Sequence, residues 1–183
     1  CTDTADALGV PIRTRGSDWQ SVLDSKRQAK FRSPEVFSLL SNDERLISAA
    51  TVYEGMEFAF GYFGDHLYVA VVPRISTRWM DAVRLAEQAN GYLTSISTKE
   101  ENEFIFQLSS DDPKFWVLGG DGIAWIGPAI GLFQEDGALE PADGWKWWNG
   151  EALVYTNWAS GQPNDWGEVN ERTATYYSYS RGR

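Results

Sequence analysis

Between Trp145 and Gly167 the chain gathers five of its nine tryptophans: Trp145, Trp147, Trp148, Trp158 and Trp166. An indole ring does one of two jobs in such a stretch. It fills a small, loop-rich core, or it offers a flat apolar face on which a sugar ring stacks. Composition leaves both open. Alternation along Trp145, Lys146, Trp147 and Trp148 puts neighbours on opposite faces of a strand. Trp147 and Trp158 are therefore expected in the core, and Trp148 or Trp166 is the better candidate for an exposed ligand contact. The second chemistry on offer is oxygen donation. From Lys99 through Glu151 there are 11 acidic and 3 basic residues, a local balance of 3 − 11 = −8. A loop-rich acidic surface suits a hard cation such as calcium, although most such residues serve as a solvated face.

Other chemistries find no support. His66 is the only histidine and Cys1 the only cysteine. One histidine without a nucleophile elbow cannot make a Ser-His-Asp triad, and the two residues together cannot make a zinc site. Gly119-Gly120-Asp121-Gly122 lacks the Lys-Ser/Thr of a phosphate-binding loop and reads as a turn. Glu135, Asp136 and Glu140 are loose candidates for a glycosidase carboxylate pair. The chain reads as a binding protein, not an enzyme.

The bulk properties narrow the class further. The 183 residues carry a formal net charge of −10, which repels phosphate backbones and argues against nucleic-acid binding. With 43 % hydrophobic and 14 % aromatic residues the chain can build a core. No apolar run approaches the roughly 20 residues that span a bilayer. A single cysteine forms no intrachain disulfide, which suits a reducing compartment or an organism that does not rely on disulfides. Its position at Cys1 has a further reading: a lipid-anchored mature lipoprotein, extracytoplasmic or at the cell surface, with Thr2 to Asp6 as a polar tether. The alternative is a boundary that happens to fall at a cysteine.

These residues need elements to position them. Residues 1–18 read as a flexible leader, and 19–65 as an arm too small to bury much by itself, which packs on the main domain. In the arm, Trp19 to Lys30 and Glu35 to Leu40 suit helices, the second opened by Ser33-Pro34. Asn42 or Asp43 caps a short turn through Ile47, and Met56 to Phe63 forms a strand and turn. Leu67 to Val72 is a strand ended by Pro73. An amphipathic helix capped by Thr77 follows, with Trp79, Val83, Ala86 and Ala89 or Asn90 on one face and Gly91 as its stop. Leu93 and Ile96 read as a short buried strand. Thr98 and Glu101 form a capping box opening a helix that buries Phe104, Ile105 and Leu108. Trp116 to Leu118 and Trp125 to Ile126 are short strands, Asn149-Gly150 is a hairpin turn, and Thr173 to Ser180 is one more strand.

The order of these pieces resembles the C-type lectin-like domain family. Trp125-Ile126-Gly127, Trp145-Lys146-Trp147, Asn149-Gly150, Tyr155-Thr156-Asn157-Trp158 and Gly161-Gln162-Pro163-Asn164 follow the family's sequence of motifs. Tyr68, Trp79, Gly91 to Ile96 and Glu100-Glu101-Asn102 match its earlier half. The resemblance covers residues 66–183. It implies an α+β fold with two helices and a long loop region, here preceded by the partly helical arm, in a cysteine-poor member of bacterial type.

The resemblance also implies a calcium site. The family places ligands on both sides of a cis-proline, which are Gln162 and Asn164 around Pro163 here. A later carboxylate falls at Glu171, with Glu168 the second choice. Asp165 matches a residue that binds an auxiliary ion in some members. In sugar-binding members two adjacent hydroxyls complete the calcium shell. This chain departs from the pattern in several ways. Gln162-Pro163-Asn164 is a hybrid of the mannose-type Glu-Pro-Asn and the galactose-type Gln-Pro-Asp, with two neutral amides, so calcium binding is expected to be weaker and sugar preference is not fixed. The family's cysteines, its Trp-Asn-Asp motif and its final strand are absent. The domain is therefore expected to be completed from outside these residues, or by the arm. The possible sources are a second polypeptide, a strand-donating copy, or a strand near Glu57 to Phe63. Two functions follow: a calcium-dependent carbohydrate-binding module for adhesion, or a calcium-independent scaffold for protein binding or assembly.

Overall fold

The computed structural model describes residues 30–31, 43–75, 77–119, 122, 124–139, 141–164 and 171–178. The helices expected at Glu35–Leu40 and over most of Trp19–Lys30 lie outside them. Lys30 itself is in a strand, not a helix: Lys30–Phe31 (β1) pairs antiparallel with Phe60 and Gly61.

The arm's helix is Glu44–Val52 (α1), longer than a turn ending at Ile47. Asp43 caps it. Its carboxylate accepts the Arg45 backbone N–H at 3.0 Å, the Arg45 guanidinium at 2.7 Å and the Tyr62 hydroxyl at 2.9 Å. The Arg45 hydrogen bond is the main reason that its pKa falls from 3.8 to about 2. A depressed carboxylate stabilises the fold above its unfolded pKa and loses that contribution as pH falls through the folded one. Asp43→Ala should therefore cost about 1 kcal/mol at neutral pH. Denaturant titrations of the two proteins should converge between pH 4 and pH 2, the window set by 3.8 and about 2.

Two strands follow, Glu57–Phe63 (β2) and His66–Val72 (β3), joined by a turn with Gly64 at φ 58°. They pair over their full length, from Glu57 opposite Val72 to Phe63 opposite His66. One edge of the Leu67–Val72 strand is thus covered by the arm. Leu46 of α1 is buried on Phe60, while Ala49 and Tyr53 pack on Ala89. Ser48 hydroxyl donates to the Ala89 carbonyl at 3.1 Å and accepts from Asn90 at 2.9 Å. The described part of the arm therefore adds a strand to one side of β3 and clamps the end of the next helix.

That helix is Trp79–Gln88 (α2), and its first residue follows Arg78, not Thr77. Asp81 accepts the Arg78 backbone N–H at 3.3 Å. At the far end the left-handed residue is Asn90 (φ 59°), not Gly91. Asn90 N–H reaches the Glu87 carbonyl and Gly91 N–H the Ala86 carbonyl, both at 3.0 Å. That pair of bonds is a Schellman closure, and Asn tolerates its left-handed position.

Residues 93–96 are not a strand. Ile96 is buried, but the segment is held by one backbone bond, from Gly131 N–H to the Thr94 carbonyl at 2.8 Å. Gly131 must be glycine for space: a Cβ there would lie 2.4 Å from the Leu93 carbonyl oxygen. Backbone cannot yield as a side chain can, so Gly131→Ala should destabilise by about 1–3 kcal/mol, read from the denaturant midpoint.

The third helix, Lys99–Ser110 (α3), opens on Thr98, whose hydroxyl accepts the Glu101 N–H at 3.1 Å. The expected box is only half formed. Glu101 turns instead to the Ser97 N–H at 2.7 Å and to the Tyr68 hydroxyl, tying α3 to β3. A 3-10 turn at Pro113–Phe115 leads to Val117–Leu118 (β4) and then to Trp125–Gln134 (β5). At 10 residues β5 is far longer than the two-residue strand its glycines and proline suggest. Trp145–Trp147 (β6) and Thr173–Ser178 (β7) pair with it antiparallel. After the turn at Asn149-Gly150, with Gly150 at φ 81°, no strand returns, so no hairpin forms there. The main core lies between α3 and this sheet: Ile96, Phe104, Ile105, Leu108, Leu132, Trp147 and Ala174. The fold is α+β, with α2 and α3 flanking a sheet from which the 151–164 loop departs. Among the described residues, no helix is long and apolar enough to cross a membrane.

Candidate functional site

The loop from Glu151 to Asn164 has no regular structure, and its shape comes from side chains. Glu151 accepts from the Ser95 hydroxyl at 2.7 Å, and Ser95 in turn accepts from Asn149 at 3.0 Å, which anchors the loop's start to the buried 93–96 segment. Trp158 stacks edge-on against Trp145 with ring centroids 4.8 Å apart, fixing its middle. Trp145 donates to the Pro141 carbonyl at 3.1 Å, so its indole is satisfied as well as packed. The Gln162–Pro163 peptide is cis, and Gln162 N–H bonds the Ala159 carbonyl at 2.9 Å. Gln162 and Asn164 are both exposed.

Beneath this loop is a cavity of about 760 Å³. The loop contributes Tyr155, Asn157, Trp158, Gln162 and Pro163; β7 and the residues before it contribute Glu171 to Tyr177; α3 contributes Asn102, Glu103 and Phe106. Tyr176 crosses it to donate to Asn102 Oδ1 at 3.1 Å, and burial pushes its hydroxyl pKa up. Arg172 is ion-paired with Asp136, which ties the entry to β7 to the turn after β5. Ile96, Leu132 and Trp147 of the main core also line the cavity. Trp147 is 3 % exposed, and its indole N–H is buried with no hydrogen-bond partner among the described residues.

The structure thus brings Gln162 and Glu171 to one cavity, with Asn164 two residues on in the same loop. Asp165, Glu168 and Trp166 lie outside the described residues. Trp147 is core, and Trp158 is half-buried against it. Trp148 sits apart from this group. It is 38 % exposed on the opposite side of β6, stacked on Trp79 and Phe133 at 5.5 Å each, with its N–H to Glu87 at 3.3 Å. Tyr155, Asn157, Asn102 and Arg172 were not singled out from sequence. The Tyr-Thr-Asn-Trp motif holds two of them, but a motif does not say which side chains turn inward. Gln162, Asn164 and Glu171 offer only oxygen donors of the kind calcium takes, though fewer than its usual 6–8. Among the described residues, no group of three or more His, Cys, Asp or Glu is placed to hold a metal.

Comparison with known proteins points the same way. The chain is 31 % identical over 88 residues to a perlucin-like protein of Mytilus galloprovincialis, covering 48 % of each. It is 32 % identical over 120 residues to lectin BRA-3 of Megabalanus rosa, covering 62 % of each. It is 27 % identical over 122 residues to the alpha subunit of snaclec EMS16 from Echis multisquamatus, covering 59 % of this chain and 70 % of that one. The chain spans about half the length of the first of these relatives. No family model and no solved structure matches. The motif order, the α+β architecture and these relatives together support a C-type lectin-like domain in this chain.

Proposed function

We propose that the chain is a carbohydrate-binding module, extracytoplasmic or at the cell surface, whose ligand site is the Gln162–Asn164 loop. The observation that carries this is the arrangement of the loop: Gln162 and Glu171 line one cavity from two different segments, with exposed Asn164 two residues on from Gln162 in the same loop. Of these relatives, lectin BRA-3 bears a lectin name, which agrees with a sugar ligand. Gln162, Asn164 and Glu171 would hold a calcium ion, and Asp165 is a further oxygen donor nearby in sequence. Bound there, calcium supplies a polarising centre for two adjacent sugar hydroxyls. The amide groups of Gln162 and Asn164 can each donate to a hydroxyl as well as accept, so they orient the sugar. By its position in the sequence, Trp166 is the candidate aromatic residue for stacking on the sugar.

A second reading is a calcium-independent scaffold that binds protein. It is favoured by charge: Gln162 and Asn164 are neutral, so Glu171 alone among the three supplies a carboxylate. Retention on mannose- and galactose-derivatised agarose separates the two. The first reading expects retention in calcium and release by chelator. Flow-through on both resins, with the protein folded by circular dichroism, supports the scaffold.

A further inference from the structure

We infer that Trp148 and Glu87 form a second saccharide site, independent of calcium, which takes a neutral, β-linked gluco-configured pyranose of a longer glycan. Trp148 is the exposed contact that strand alternation picks out, on the side of β6 opposite the core residue Trp147. Its indole is held by three neighbours. The rings of Trp79 and Phe133 meet it edge-on at 5.5 Å each, at 83° and 70°, and its N–H donates to Glu87 Oε1 at 3.3 Å. The supports are themselves fixed. Trp79 and Phe133 lie 5.9 Å apart, and the Trp79 N–H donates to the Ile130 carbonyl at 2.9 Å. The Trp148 backbone N–H is bonded to the Gly131 carbonyl at 2.8 Å. A ring so placed loses little freedom when a ligand stacks on it, yet 38 % of the residue stays in solvent.

Size and charge choose the ligand. An exposure of 38 % on a side chain of roughly 250 Å² leaves about 100 Å² open. That is far below the roughly 800 Å² per partner that a stable protein interface buries, and it matches one sugar ring. A pyranose with all its substituents equatorial turns a flat layer of axial C–H bonds to the indole and carries its hydroxyls around the rim. The β-linked gluco configuration has this shape on both faces. Glu87 is exposed, and a carboxylate accepts from more than one donor, so it can take a rim hydroxyl while it holds the indole. The same carboxylate, on a chain of net charge −10, turns away uronic and sulfated glycans. Neither contact uses a metal, which separates this site from the Gln162–Asn164 loop.

Cellohexaose titrated into the isotope-labelled whole chain, with EDTA present throughout, tests this by the NMR signals of the indole N–H groups. Trp148→Phe deletes one of those signals and so identifies it. The expected result is that the Trp148 signal moves with a dissociation constant on the order of 1 mM. Glu87→Ala, at an exposed helix position, should keep the fold and weaken binding roughly tenfold, the loss of one charge-assisted hydrogen bond. Trp148→Phe offers a smaller ring and should weaken it at least roughly fivefold, read by saturation transfer to the sugar. Polygalacturonate should leave the Trp148 signal in place. A Trp148 signal that does not move at tens of millimolar cellohexaose overturns the inference. So does sugar binding that both variants leave intact, or an equal response to polygalacturonate. Calcium-dependent binding through Gln162 and Asn164 is silent in EDTA, so either site can fail without the other.

Discussion

Trp147→Ala is expected to lower the unfolding free energy by about 3–5 kcal/mol, among the largest losses any single truncation of this chain can give. Trp147 is 3 % exposed and belongs to the cluster that joins α3, β5 and β7. Its removal would open that cluster directly onto the cavity already beside it. The size of the loss comes from lost ring contacts and not from a lost hydrogen bond, because the indole N–H has no partner among the described residues. Trp147→Phe is the control that separates the two. It keeps most of the ring volume and removes a buried donor that no described residue accepts. It should cost well under half of the alanine loss, since a buried unsatisfied donor is itself a penalty of about 1–3 kcal/mol. Denaturant unfolding with unchanged m-values would check both numbers. A phenylalanine variant as unstable as the alanine one would mean that the indole N–H has an acceptor in the native protein.

The second large effect concerns calcium. Asn164→Ala should abolish measurable calcium binding, because it removes one of the three proposed oxygen ligands from a site that carries a single carboxylate among them. Gln162→Glu should act in the opposite direction. It adds a carboxylate at an exposed position, and calcium affinity rises with ligand charge. A gain of roughly tenfold, or about 1.4 kcal/mol, is expected. A gain from one substitution at the loop, matched by a loss from its neighbour two residues on, is hard to obtain from a non-specific acidic surface. Folding should be untouched in both variants, as both side chains are exposed.

How much of this was legible in the sequence depends on how local the signal is. Helix caps read well where one side chain decides them, as at Asp43 and Thr98. They read badly where two residues compete. Gly91 looked like the left-handed stop of α2, but Asn90 took that conformation and Gly91 supplied the following N–H. Glu101 looked like a capping-box partner, but the hydroxyl of Tyr68, 33 positions earlier, drew its carboxylate away. The length of β5 was hidden by Gly127, Pro128 and Gly131. Gly131 is there because another backbone segment passes too close for any Cβ, a tertiary cause that local propensity cannot register.

Motif order names candidate residues for the site, and it says nothing of the cavity's walls. The order of motifs singled out Gln162, Asn164 and Glu171, and the fold brings Gln162 and Glu171 to one cavity. Strand alternation makes Trp148 a candidate contact by setting it opposite the core face of Trp147. Its ring lies against Trp79 of α2, whose own N–H bonds the Ile130 carbonyl at 2.9 Å. The same alternation expects Trp147 in the core, and it is 3 % exposed. The inward turn of Tyr155 and the crossing bond from Tyr176 to Asn102 depend on where α3 lies against β7. No spacing along the chain encodes that distance.

The most direct test of the central claim is a calorimetric calcium titration of the whole chain, beside Asn164→Ala and Gln162→Glu under the same conditions. The account predicts saturable binding in the micromolar to millimolar range, absent in Asn164→Ala and tighter in Gln162→Glu. No heat from the unaltered chain at millimolar calcium, or binding that Asn164→Ala leaves intact, would contradict it.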